Sequence, residues 1–153
     1  MTGSQSLALK ISALLWIIWG IVHVLGGIVT IGVDATTGFQ GIAAAVNPDE
    51  LAADYHPAVE AVLNQHGWNL LWVGAVTIIG AAFIWKQNTT AIWVTAMVGG
   101  LLDVGYFVFI DLGGYGTFFP GSSMTIVSGT AIVLSFWAWY ASNKVDAGGS
   151  QNA

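Results

Sequence analysis

The stretch "LALKISALLWIIWGIVHVLGGIVTIGV", Leu7 to Val33, is mostly apolar, and its only ionisable side chains are a lysine near its start and a histidine, His23, deep inside it. A bilayer core about 30 Å thick requires about 20 apolar residues of helix to cross it. The apolar run after Lys10 has this length, whereas the apolar core of a cleavable signal peptide has about 7 to 15 residues. The stretch therefore predicts an uncleaved transmembrane helix.

The composition of the whole chain agrees with this interpretation. Of the 153 residues, 56% are hydrophobic and 7% are charged, against about 25% charged residues in a soluble domain. Eight tryptophans fit a membrane protein, because tryptophan is enriched at bilayer interfaces. No cysteine is present, which excludes disulfides, thiolate metal sites and thiol redox chemistry. The tryptophans expected in or near the interfaces are Trp16, Trp68, Trp85, Trp93, Trp137 and Trp139.

Three more apolar runs have the length of a membrane span: Gly67 to Trp85, Thr90 to Ile110, and Thr117 to Ala141. The sequence thus predicts an all-α, four-transmembrane-helix bundle with spans at 7–33, 67–85, 90–110 and 117–141. We expect one domain over residues 1–145 and a disordered tail at 146–153. The connection at 34–66 is long, and Asn47, Pro48 and Pro57 are helix-start signals. They predict one or two short helices across the mouth of the bundle.

The charges predict the orientation of the bundle in the membrane. Lys10, Lys86 and Lys144 all fall at the same end of the predicted spans, and lysines in short loops stay on the cytoplasmic side. Both termini are therefore expected in the cytoplasm, with the acidic loops outside. Those outer loops contain no lysine or arginine, and their acidic residues are Asp34, Asp49, Glu50, Asp54, Glu60 and Asp111.

Two ionisable residues are expected at the same depth in the membrane. His23 lies thirteen residues beyond Lys10, and Asp103 lies thirteen residues beyond Thr90, so each is roughly 20 Å along its helix. A charged group at this depth costs at least about 2.5 kcal/mol and is expected to face the protein interior and find a partner. We predict a contact between His23 and Asp103. Small residues on the same faces predict packing seams there, namely Gly20, Gly27 and Gly99.

Further polar residues fall in the same outer half of the bundle. His66 and Asn69 are three residues apart on the second span, and Tyr106 is one turn beyond Asp103. Together with His23 they predict a polar site that opens outward and binds a small lipophilic molecule. The sequence leaves open whether a reaction is catalysed there and indicates no certain cofactor.

Other interpretations of the same residues remain open. His23, His66 and Asp103 are the ligand types of a metal site, and His23 with His66 would suit a b-type haem. A depth difference of about 10 Å between the two histidines counts against both. The buried pair can also be a purely structural device in an accessory or assembly subunit of a larger membrane complex, and transport would require a homo-oligomer. The bilayer is the expected environment, and no nucleic acid is expected as a partner.

Two short motifs lie near the outer ends of the first two helices: "WGIVH" at 19–23 and "HGWNLLW" at 66–72. With a long outer loop and both termini inside, this arrangement resembles the DoxX-like small four-helix membrane proteins. Some members of those families are linked to quinone or sulfur redox systems, so the resemblance implies a redox accessory role. The absence of cysteine argues against sulfur handling, and no catalytic residue carries over.

Overall fold

The computed structural model describes residues 1–43, 49 and 51–149, and this part of the chain is helical with no strand. The prediction of an all-α fold is confirmed. Two short π-helical turns accompany the α-helices: Phe107–Asp111 extends α4, and Phe118–Ser122 leads into α5. The α-helices are α1 (Gly3–Thr30), α2 (Ala35–Ala43), α3 (Pro57–Trp85), α4 (Thr89–Tyr106) and α5 (Ser123–Gly149).

The four predicted spans correspond to four helices that are long and apolar enough to cross a membrane. The first two of them begin several residues earlier than predicted. The Thr2 hydroxyl accepts the N–H of Gln5, and the Gln5 side chain accepts the N–H of Thr2, so this capping box starts α1 at Gly3. Pro57 occupies the first turn of α3, where its missing N–H costs nothing. The helix-start signal at Pro57 therefore opens the second long helix itself.

The first loop contains α2, which lies in its glycine- and threonine-rich part. The Asp34 carboxylate accepts hydrogen bonds from the N–H and hydroxyl of Thr37, and these bonds hold the pKa of Asp34 below its ordinary value. The predicted helix start at Asn47 lies outside the described residues. At the other end of the chain α5 extends to Gly149, and residues 150–153 of the predicted tail also lie outside them.

The long helices form a four-membered bundle. Helix α1 packs against α3 and α5, and α4 packs against the same two helices, so α1 and α4 lie diagonally across the bundle. Buried apolar side chains of all four helices make up its core: Leu9, Ala13, Trp16, Trp19, Val73, Ala81, Ile84, Ile92, Ala131 and Ala138.

Glycines set the distance between α1 and α3. Gly20 on α1 faces Gly74 on α3. Two turns later on α1, Gly27 faces Gly67, which lies two turns before Gly74 because the two helices are antiparallel. A Cβ atom on Gly27 would lie 2.5 Å from the carbonyl oxygen of Gly67, and one on Gly74 would lie 2.6 Å from that of Gly20. Only glycine permits this approach of two backbones. The packing seam predicted on α1 is confirmed, and its partner is α3.

Trp16, which was expected in or near an interface, is a residue of the bundle core. Its side chain is fully buried, and the ring of Trp19 packs edge-on against it with 5.6 Å between centroids. Space for the Trp16 indole comes from Gly99 on α4, because a Cβ atom there would collide with the ring. In contrast, Trp68, Trp85, Trp93 and Trp137 have exposed side chains.

A polar contact joins α1 to α5 in the half of the bundle where α1 begins. The Ser12 hydroxyl donates to the carbonyl oxygen of Ala131 at 2.8 Å and accepts from the Ser135 hydroxyl at 2.5 Å. Ser12→Ala is expected to lower the free energy of unfolding by about 0.6 kcal/mol, the average for such bonds between membrane helices. Denaturant titration in detergent micelles, followed by tryptophan fluorescence, measures this loss.

Thr130→Ala is the matched control for this prediction, because the Thr130 hydroxyl bonds to Ile126 of its own helix and is exposed. Equal losses in both variants would contradict a stabilising role for the α1–α5 contact.

Candidate functional site

The candidate site begins with the contact between His23 on α1 and Asp103 on α4. The Nε2 atom of His23 lies 3.9 Å from Oδ1 of Asp103, and both side chains are largely buried. The contact predicted from equal helix depth is therefore confirmed. It crosses the diagonal of the bundle, so it joins two helices that otherwise pack mainly against α3 and α5.

Trp19 holds both members of this pair in place. Its indole Nε1–H donates to Oδ2 of Asp103 at 2.7 Å. The same ring stacks on the His23 imidazole, with 3.5 Å between centroids and 20° between planes. The sequence spacing could have indicated this role of Trp19, because Trp19 precedes His23 by one helical turn and lies on the same helix face. Sequence reasoning missed it by treating the tryptophans as interface anchors.

The backbone of Trp19 also determines the hydrogen-bonding role of His23. Nδ1 of His23 lies 2.8 Å from the carbonyl oxygen of Trp19. A carbonyl oxygen can only accept, so Nδ1 must carry the proton in this bond. In neutral His23 the other nitrogen, Nε2, then has an accepting lone pair, and this atom faces Asp103. The 3.9 Å between Nε2 and Oδ1 exceeds hydrogen-bonding distance, so the two side chains face each other without bonding directly.

The pair lies in the wall of a cavity of about 260 Å³ at the end of the bundle where α1 ends. Most of the cavity surface is apolar, and the polar side chains in it are few. All four long helices, α2 and the turn before α5 contribute to the wall. Its main apolar side chains are Val22, Leu25, Val29, Ile42, Leu70 and Met124.

The cavity reaches the outer surface of the bundle beside α1. Leu25 and Val29 line it, yet each side chain is 56% exposed. Pro120 and Gly121, in the turn before α5, form part of the wall, and so does Gly41 of α2. The opening therefore has an apolar rim.

Tyr106 contributes the third polar group of the cavity. It follows Asp103 by one turn of α4, and its hydroxyl is buried without a hydrogen-bond partner among the described residues. Gly121 makes room for this hydroxyl, because a Cβ atom at that position would collide with it. Nearby, the Ser122 hydroxyl donates to Asp111 at 2.8 Å and ties the two π-helical turns together.

The two predicted residues of α3 have different positions. His66 lines the cavity, whereas Asn69 does not. The Asn69 side chain instead accepts a hydrogen bond of 3.2 Å from Nε1 of Trp72, so it is not part of the wall of this cavity. Residues four apart share a helix face more closely than residues three apart, and the cavity is lined by the pair His66 and Leu70.

The metal-ligand set proposed from sequence is only partly assembled. His23, His66 and Asp103 all line the same cavity. However, in residues 1–43, 49 and 51–149 no three His, Asp or Glu side chains are arranged to hold a metal ion. A haem held by the two histidines stays a prediction.

No family model, curated protein or solved structure matches this chain. The resemblance to the DoxX-like proteins therefore stays a prediction, and the geometry of the cavity is the basis for the functional argument.

Proposed function

We propose that this protein is a multi-pass membrane protein that binds a small lipophilic molecule in the cavity beside His23 and Asp103. The observation that carries the proposal is an apolar cavity, open beside α1, whose wall contains a polar pair too far apart to bond directly. Cavities of this kind, apolar with a few convergent polar groups, are typical of small-molecule sites.

The proposed orientation follows from the positions of the lysines in the bundle. Lys10 lies over the ring of Trp85 at 5.7 Å, so it is at the same end as Lys86. The contact between Ser12 and Ser135 brings the C-terminal part of α5, with Lys144, to that end as well. By the positive-inside rule this end is cytoplasmic. The cavity, at the opposite end, then opens toward the outer leaflet.

The apolar rim supports entry from the bilayer. In a membrane, the exposed side chains of Leu25 and Val29 would face lipid, so a lipophilic molecule can reach the cavity without crossing a polar surface. The volume of about 260 Å³ is slightly below the range of about 300–1,000 Å³ for drug-sized ligands. The ligand is therefore small, or part of it extends past the rim.

The distance within the polar pair favours a ligand site over a structural pin. Burying ionisable groups in a membrane costs several kcal/mol unless they are paired. A pair that serves only to fix helix register should close to hydrogen-bonding distance, yet Nε2 of His23 and Oδ1 of Asp103 are 3.9 Å apart and both belong to residues of the cavity wall. A bound polar group is the simplest way to satisfy both atoms.

Native mass spectrometry of the chain released from a mild detergent tests the proposal. The expected spectrum shows one small molecule bound per chain, and this added mass is lost in His23→Leu and in Asp103→Leu. Asn69→Leu is the matched control, since Asn69 is polar, belongs to the same half of the bundle and does not line the cavity; it should keep the ligand.

Circular dichroism of each variant checks that the helices remain. A bare wild-type chain, or ligand retained in both cavity variants, would contradict the proposal. A chain observed only together with another polypeptide would support an accessory subunit instead.

A further inference from the structure

The polar groups at the His23–Asp103 contact restrict the chemistry of the ligand, on the condition that the proposed binding site is correct. Neutral His23 offers an acceptor at Nε2, because Nδ1 is committed to the carbonyl oxygen of Trp19. Asp103 offers Oδ1, because Oδ2 is committed to the indole of Trp19. The Ser128 hydroxyl also lies near this carboxyl group, but a carboxylate oxygen has two lone pairs, so an acceptor remains. Tyr106 also lines the cavity, and its enclosed hydroxyl has no partner in the described part of the chain. The site therefore needs both a donor and an acceptor from its ligand.

Several common polar groups fail this requirement. A ketone or an ether has no donor for Nε2 of His23. An ammonium group has no acceptor for the O–H of Tyr106. A carboxylate also has no donor for Nε2 of His23, and beside an ionised Asp103 it would add a second negative charge that repels the first. A hydroxyl supplies one donor and accepting lone pairs in a single atom.

The spacing of the pair also suits one oxygen atom. Two acceptors 3.9 Å apart can both lie about 2.8 Å from an oxygen placed between them. With Asp103 ionised, that oxygen has one hydrogen for two acceptors, so it donates to one of them and leaves the other without a donor. With Asp103 protonated, the oxygen accepts from the carboxyl group and donates to Nε2 of His23. A hydroxyl therefore satisfies both members of the pair when Asp103 is protonated.

We infer that the ligand is a lipophilic alcohol or phenol, whose hydroxyl lies between His23 and Asp103 within reach of Tyr106. Its apolar body lies along the wall that Leu25, Leu70 and Met124 contribute to. The hydroxyl end determines recognition, and the hydrocarbon part supplies the affinity through burial.

The test uses the full chain in lipid nanodiscs, labelled with ¹⁵N-histidine. The probes are 4-butylphenol, its methyl ether 4-butylanisole, and 4-butylbenzylamine. In the free protein, His23 is expected to show the signals of an Nδ1–H imidazole. Titration with 4-butylphenol should shift the Nε2 signal of His23. The ether should require at least a tenfold higher concentration, since one buried hydrogen bond to a polar partner is lost.

Tyr106→Phe separates the recognition role from a structural one. The hydroxyl of Tyr106 has no partner to lose among the described residues, so the variant should keep the wild-type thermal stability. It should weaken the binding of both 4-butylphenol and 4-butylanisole by about fivefold or more, because either oxygen can accept from the Tyr106 hydroxyl. Asn69→Leu should change neither.

The outcomes distinguish the two proposals. Equal binding of phenol and ether at His23 would overturn the hydroxyl inference and keep the lipophilic site. Preference for the benzylamine would overturn it in favour of a cationic ligand. Binding of no probe, together with a wild-type chain free of added mass in the native spectrum, would overturn the proposed function as well.

Discussion

Gly27→Ala and Gly74→Ala are each expected to destabilise the protein by about 1–3 kcal/mol, the usual cost of overpacking a close contact. The added methyl group of Gly27→Ala would meet α3 at three atoms, all within 2.8 Å. That of Gly74→Ala would meet the carbonyl oxygen of Gly20 at 2.6 Å. These obstacles are mostly backbone atoms, which cannot rotate away, so α1 and α3 must separate.

Two other glycines provide controls, because alanine at these positions is not expected to destabilise the protein. A Cβ atom on Gly105 of α4 or Gly129 of α5 would meet no atom within 4 Å. Alanine is a better helix former than glycine by roughly 0.5–1 kcal/mol, so Gly105→Ala and Gly129→Ala should leave stability unchanged or raise it. Unfolding in mixed micelles, followed by tryptophan fluorescence, measures all four variants. A similar response from the seam glycines and the control glycines would show that α1 and α3 are not in close contact.

The α1–α3 seam also sets the shape of the cavity. His23 and Leu25 on one helix and His66 and Leu70 on the other line it from either side of the seam. Separation of the helices by the Gly27→Ala methyl group should therefore weaken probe binding along with stability. Gly105→Ala should alter neither.

Sequence reasoning was sufficient for the features that depend on distance along a helix. Span length and the positions of the lysines predicted four long helices, and equal counts from Lys10 and Thr90 predicted that His23 and Asp103 meet. Depth along a helix is a linear quantity of about 1.5 Å per residue, so it can be read from residue numbers alone.

Features that depend on rotation about the helix axis and on the choice of neighbour were harder to predict. When a helix is apolar on all faces, the pattern of apolar and polar residues does not distinguish its buried side from its outer side. Neither the burial of Trp16 nor the outward position of Asn69 could therefore be read from periodicity. Trp19 was missed for a related reason. Its role depends on Asp103 of a diagonal helix, and residue type alone favoured an interface anchor.

Trp19→Phe is expected to lower the free energy of unfolding by about 2–4 kcal/mol. The indole N–H that donates to Asp103 at 2.7 Å disappears, and a fully buried side chain becomes smaller. A buried carboxyl group left without its donor carries the full cost of desolvation, about 1–3 kcal/mol or more when it is charged. The space left by the smaller ring adds a further cost.

A double-mutant cycle with Asp103→Leu isolates the polar part of this loss. Each single variant leaves one member of this bond without the other: the carboxyl group in Trp19→Phe and the indole N–H in Asp103→Leu. The double variant removes both groups, and replacing both partners of a buried bond by apolar groups is far less costly than removing one. The double variant should therefore be more stable than the sum of the two losses predicts, by about 1–3 kcal/mol.

The same cycle separates the stability of the bundle from the geometry of the site. Trp19→Phe keeps an aromatic ring beside His23, and its backbone carbonyl still accepts from Nδ1, so His23 should keep its Nδ1–H form in the ¹⁵N spectrum. Asp103, however, is no longer held by the indole, so 4-butylphenol should bind more weakly. Additive losses in the cycle would contradict the Trp19–Asp103 bond itself. Coupled losses with unchanged phenol binding would mean that this bond stabilises the bundle without positioning the ligand.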